Sequence, residues 1–204
     1  TGQVSALGTS KIAGLSSATV AALSSLQLIG FSTAQLALFG SNQIAALSSV
    51  AIGGLSSSQV DSLNTMQLVS LTSANIRGLA SGQLAAINTG KISALEVVDV
   101  GALVSAQWRG FSTAQLAQFN TGQVASIGSS AIVGLSTEQV DALSTTQLAA
   151  LTTVNIRGLS SGQLGAIATA KVSALETADV LVLSSAQVLD RKSTRLNSSH
   201  TDIS

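Results

Sequence analysis

The 204-residue sequence predicts an all-α solenoid of short capped helices, one per eight residues. Three observations predict it. From Thr1 the chain divides into gapless octads, such as T-A-Q-L-A-L-F-G (33–40), S-G-Q-L-A-A-I-N (81–88) and T-T-Q-L-A-A-L-T (145–152). With the positions lettered a to h, d is apolar in 24 of 24 units and g is Leu, Ile or Phe in 23 of 23. Around these anchors runs a polar frame: a is Ser or Thr in 23 of 24 units, c is Gln in 14 of 24, and h is Ser, Thr, Asn or Gly in 18 of 23.

Apolar spacings of three and then five do not fit a strand, whose side chains alternate with period two. A single long helix fails too, because eight residues overshoot two turns by roughly 80° and the apolar stripe would spiral off its face. The backbone must change direction once per octad. Position h supplies a helix N-cap. Gln at c then stands at N3 and completes a capping box, while g and d pair across the cap as a hydrophobic staple. The segment L-S-T-E-Q-V-D-A-L (135–143) carries every one of these signals. Ala-rich e and f positions add helix propensity. Helices of one to two turns are marginal alone, so the octads are expected to hold one another as a one-dimensional array. The hydroxyl row at a, with Val and Ile at d, leaves a parallel β-solenoid as the alternative.

A longer period lies above the octad. Residues 31–109 realign on 111–189 after a shift of 80, bringing Asp61 onto Asp141, Arg77 onto Arg157, Glu96 onto Glu176 and Asp99 onto Asp179. Lys11, Lys91 and Lys171 share the register. Gly occupies f at Gly30, Gly54, Gly78, Gly110, Gly134 and Gly158. Those intervals of three and four octads predict a coil of roughly 27 residues with Gly where backbones approach closest. Residues 1–189 are therefore read as one solenoid, a fragment of a longer array. The frame is lost at Asp190, where D-R-K-S-T-R-L-N-S-S-H (190–200) resembles a translated sequencing-library adapter. Residues 190–204 are read as a non-native or disordered tail, which removes His200 and the Asn197 sequon from consideration.

Composition excludes several functions. Only 9% of residues are charged and the formal net charge is zero, so no overall pull toward nucleic acid or anionic membrane is expected. No apolar run is long enough to span a bilayer, and without Cys there is no disulfide or thiolate chemistry. No signal-peptide pattern is visible, although the chain starts inside its own repeat. Residues 1–189 hold no His, Cys or Tyr, leaving acid–base work to seven carboxylates, three Lys and three Arg. No catalytic, cofactor-binding or metal-ligating residue, and no cofactor, is expected.

The remaining candidates have structural readings. Glu96 with Asp99 and Glu176 with Asp179 stand at h and c. They offer oxygen ligands for Ca²⁺, but carboxylates there also complement a helix N-terminus, which is the expectation. Asp61, Arg77, Asp141 and Arg157 at e are expected to be solvated or paired across coils. A binding module would instead line them along one groove. Trp108 at d and Phe31, Phe39, Phe111 and Phe119 at g read as core anchors, with an aromatic groove as the alternative. The Ser/Thr rows read as capping rather than as an ice-binding array.

The stretches G-L-S-T-E-Q-V-D-A-L (134–143) and A-L-T-T-V-N-I-R-G-L (150–159) resemble tandem repeats of very large bacterial surface or secreted proteins, of adhesin-like or haem-utilisation type. The resemblance implies an extracellular or cell-surface stalk or adhesive spacer. A haem role has no ligand set in the repeats, where Met66 stands alone. L-S-T-E-Q-V-D-A-L-S (135–144) is also similar to the first helix of the repeats of TAL effectors, which wrap DNA using longer units and a basic stripe. Six Lys and Arg against seven Asp and Glu over residues 1–189 do not make such a stripe, so nucleic acid is rejected as a partner. The function expected is that of a non-enzymatic structural repeat, its copies stacking on further repeats of the same chain. The alternative is a module whose repeated face binds a cell-surface glycan, ice or a protein.

Overall fold

A computed structural model describes residue 4 and residues 7–188. The tail read as foreign to the fold, Asp190–Ser204, lies outside the described residues. The described chain is an all-α solenoid. Short helices of three to six residues follow one another, from Thr9–Ala13 to Thr177–Leu181, one in each octad. No strand occurs among the described residues, which removes the β-solenoid alternative.

The local mechanism is the one the octad dictates. In Thr137–Asp141, for example, the Ser136 hydroxyl accepts from the Gln139 N–H, and the Gln139 side chain accepts from the Ser136 N–H. The same reciprocal pair opens Thr145–Ala149, Ser57–Ser62 and Thr65–Val69, with Asn64 as the cap in the last. Helices end without a left-handed residue, and no described residue has positive φ. Instead g and h turn extended: Leu63 has φ −61° and ψ 131°, and Asn64 has φ −80° and ψ 171°. Two consecutive extended residues swing the chain into the next side of the coil, and the cap at h restarts the helix.

Positions d and g form a continuous core. Ile44, Leu68, Ile92, Leu116 and Val140 at d, and Leu47, Leu71, Leu95, Phe119 and Leu143 at g, are all buried in one cluster. Helices touch their counterparts three octads on, as Ser57–Ser62 does Ser81–Ala86 and Thr137–Asp141 does Ser161–Ala166. Bonds between coils join residues 25 to 31 apart, as in Arg77 to Ala102 and Gln67 to Leu36. A coil thus takes between three and four octads, in line with the roughly 27 residues that the Gly spacing predicts. The f glycines sit where expected. A Cβ on Gly54, Gly78, Gly110, Gly134 or Gly158 would collide with the backbone of Ser25, Ser49, Ser81, Ser105 or Ser129 respectively.

Candidate functional site

Position c is where the chain concentrates its buried polarity. Every buried polar or charged side chain among the described residues stands there, from Gln35 to Asp179. The physical need is specific. After each short helix the carbonyl of g has no backbone donor, and it lies buried against the next coil. Gln67 meets that need. Its Oε1 accepts from the Asn64 N–H at 3.0 Å. Its Nε2 donates to Leu36 O at 2.8 Å and Phe39 O at 2.9 Å, the d and g carbonyls of the coil below. Gln147 repeats this on Leu116 O and Phe119 O, both at 2.8 Å. Gln107 does so on Ile76 O at 3.0 Å and Leu79 O at 2.7 Å. One amide therefore caps its own helix and closes the seam to its neighbour. Sequence reasoning placed Gln in the capping box but not in this second role. The signal was present: Gln has a donor pair that no residue within the octad can use.

Variants at c change the seam. Asn75 and Asn155 still cap, through Thr72 N and Thr152 N, and still donate to Ile44 O and Ile127 O. Lys91 and Lys171 reach instead to the e residue of the coil below. Each ammonium bonds the backbone carbonyl of Asp61 or Asp141 and lies 3.7 or 3.6 Å from its carboxylate. The same Oδ1 atoms accept from Asn88 N and Ala168 N at 2.9 Å. Arg77 Nε donates to Ala102 O at 2.9 Å. Asp61, Arg77 and Asp141 are thus occupied in cross-coil contacts with different partners.

The acidic pairs stand at helix N-termini, as expected, with Asp99 and Asp179 in the first turns of their helices. Glu96 and Glu176 stand at the N-caps of Val97–Ala102 and Thr177–Leu181, but their side chains make no capping bond. Asp99 and Asp179 are buried at c. A carboxylate cannot donate to the carbonyls below, and Asp99 turns instead to accept from the Ser73 hydroxyl at 3.0 Å. Burial pushes the Asp99 carboxyl above its ordinary range; the Ser73 hydroxyl pulls it down and Glu96 adds to the rise. Burial and then Glu176 raise Asp179 likewise. Among the described residues no cluster of three metal-ligating side chains forms.

Trp108 is fully buried, with ring centroids 5.3 Å from Phe111 and 5.4 Å from Phe119. Phe31 and Phe39 meet edge to face at 5.2 Å. The aromatics are core anchors. The Trp108 indole N–H is buried without a hydrogen-bond partner. Open grooves between coils are shallow. One of about 590 Å³ runs past Arg109, Ser112, Ser136 and Gln139, and another of about 480 Å³ past Ser16, Ser41 and Gln43. No described helix is long and apolar enough to cross a membrane.

No curated protein matches the chain. The family model described as ALTTAQ repeat matches residues 41–73, 92–129 and 125–153. The chain is a tandem-repeat protein similar, over those three segments, to the ALTTAQ repeat family.

Proposed function

We propose that this chain is a non-enzymatic structural segment, a stalk or adhesive spacer of a large bacterial surface or secreted protein. One observation carries the proposal: Gln at c bonds the d and g carbonyls of the coil below, and this joint recurs along the array, as at Gln67, Gln107 and Gln147. Such a joint makes length additive and stiffness local, which is what a spacer needs. The described repeats also offer little for chemistry. Their ionisable side chains are few, and Asp61, Lys91, Asp141 and Lys171 are tied up in cross-coil contacts.

Small-angle scattering on the chain and on a variant in which the ten-octad block 31–110 is duplicated in tandem tests the shape. A cross-section unchanged between the two, with length growing in proportion, is the expected result; a compact particle for either would overturn the reading. Antibody raised against the repeats should label intact cells of the source organism. Labelling only after permeabilisation would sink the surface assignment.

A further inference from the structure

The seam between coils loses its amide clamp where two octads in succession carry neither Gln nor Asn at c. Gln83 bonds Ile52 O and Leu55 O, and Gln107 bonds Ile76 O and Leu79 O. Between them position c holds Lys91 and Asp99. Eighty residues on, Lys171 and Asp179 stand between Gln163, on Ile132 O and Leu135 O, and Gln187, on Ile156 O and Leu159 O. In both places nearly one turn of a roughly 27-residue coil rests on the coil below without an amide on its d and g carbonyls.

Close backbone contact stops at the same places. The f glycines that let coils touch end at Gly78 and resume at Gly110, and after Gly158 none follows among the described residues. Ala51 and Ala131 also lack a donor at c, but each is a single gap between Gln neighbours, beside the tight contacts of Gly54 on Ser25 and Gly134 on Ser105. What closes the two long gaps is weaker. Asp61 is held by Lys91 and the Asn88 N–H, and Asp141 by Lys171 and the Ala168 N–H, with both ion pairs partly in water. Arg77 Nε holds Ala102 O, and the Ser73 hydroxyl reaches Asp99. Among the described residues no donor reaches the Asp179 side chain.

Helices of one to two turns stand only while neighbouring coils hold them, so the least-bonded seam is the first to part. We propose that the solenoid opens and bends at two hinges, where residues 83–107 and residues 163–187 rest on the coil beneath, with a stiff clamped segment between them. The recurrence after 80 residues, close to three turns, sets the spacing of the hinges along the array. The proposal goes beyond the spacer reading and does not depend on it.

Double electron–electron resonance on the full chain, which has no Cys of its own, tests it. Spin labels on Ser58→Cys with Ala114→Cys, and on Ala106→Cys with Gly162→Cys, stand at exposed b positions, and each pair is seven octads apart. The first pair spans the hinge at 83–107 and the second the clamped segment. The first distance distribution is expected to be roughly twice as wide as the second. K91Q/D99Q restores Gln at both c positions and should narrow it to match. In hydrogen exchange, amides of residues 88–104 should exchange roughly tenfold faster than those of residues 112–128, and K91Q/D99Q should remove the difference. Equal widths or uniform exchange in the parent would overturn the proposal, and so would a hinge that K91Q/D99Q leaves as wide as before. Circular dichroism identifies a variant that fails to fold, and in that case the comparison of the two label pairs in the parent is decisive.

Discussion

The carbonyl oxygen of Ser49 fills the space that a Cβ on Gly78 would need. Both contacting groups are backbone, so neither can rotate away, and the clash must be relieved by parting two coils. Gly78→Ala, and likewise Gly158→Ala against Ser129, should destabilise by about 2–3 kcal/mol or more, as overpacking does in a rigid interior. Gly82→Ala makes the control: nothing lies within 4 Å of its added Cβ, and it sits inside Ser81–Ala86. There the methyl should stabilise by about 0.5–1 kcal/mol through helix propensity. Urea titrations of the three variants give opposite signs if the close approach is real.

Gln67 is 2% exposed and closes three bonds at once. Gln67→Ala leaves the buried carbonyls of Leu36 and Phe39 without their side-chain donor, at a cost of about 2–4 kcal/mol. Gln67→Glu should be worse at neutral pH although it keeps the shape, because a carboxylate has no hydrogen to offer those oxygens. Met66→Ala, one residue away but 72% exposed, should change stability by under about 0.5 kcal/mol. Finding Gln67→Glu as stable as the parent would refute the clamp.

The octad was legible because its signals are local. Ser136 with Gln139, and Leu135 with Val140, announce cap and staple within a few residues, and the core anchors follow from them. The coil length was legible because Gly78 and Gly158 mark contacts that only a bare Cα permits. What the octad hides is whatever needs the coil below. The donor pair of Gln67 finds partners 28 and 31 residues back, and Lys91 finds Asp61 thirty residues back. The partner of Asp99 is hidden for the same reason. Its spacing from Glu96 places it in the first turn of a helix, where it stands, but its partner Ser73 lies one coil away.

That buried carboxylate makes stability depend on pH. Burial holds Asp99 and Asp179 above the ordinary value of 3.8 in the folded chain. The fold therefore favours the protonated form. The stabilisation is complete below the unfolded value and is lost as pH rises through the raised folded value. Asp99→Asn/Asp179→Asn removes the titration and, like Asn75 on Ile44, supplies a donor for the carbonyls below. The variant should be more stable than the parent at pH 7, and the difference should shrink toward pH 4. Glu138, which its own backbone N–H and Ser136 hold low, is present in both proteins and cancels from the comparison. A difference independent of pH between 4 and 7 would refute the assignment.

The Lys91–Asp61 contact should matter less than its recurrence at Lys171–Asp141 suggests. Both partners remain partly in water, with side chains 28% and 47% exposed, so solvent screens the pair. Two of its bonds are not ionic: the ammonium also holds the Asp61 carbonyl, and Asp61 Oδ1 also accepts from Asn88 N–H. Asp61→Asn keeps an acceptor for that N–H while deleting the charge, and should cost under about 1 kcal/mol. Asp61→Ala removes the acceptor as well and should cost about 1 kcal/mol more. A double-mutant cycle of Asp61→Asn with Lys91→Met is expected to give a coupling below about 1 kcal/mol that weakens in 1 M salt. A coupling of several kcal/mol that survives salt would mean that the pair is a structural bolt of the superhelix.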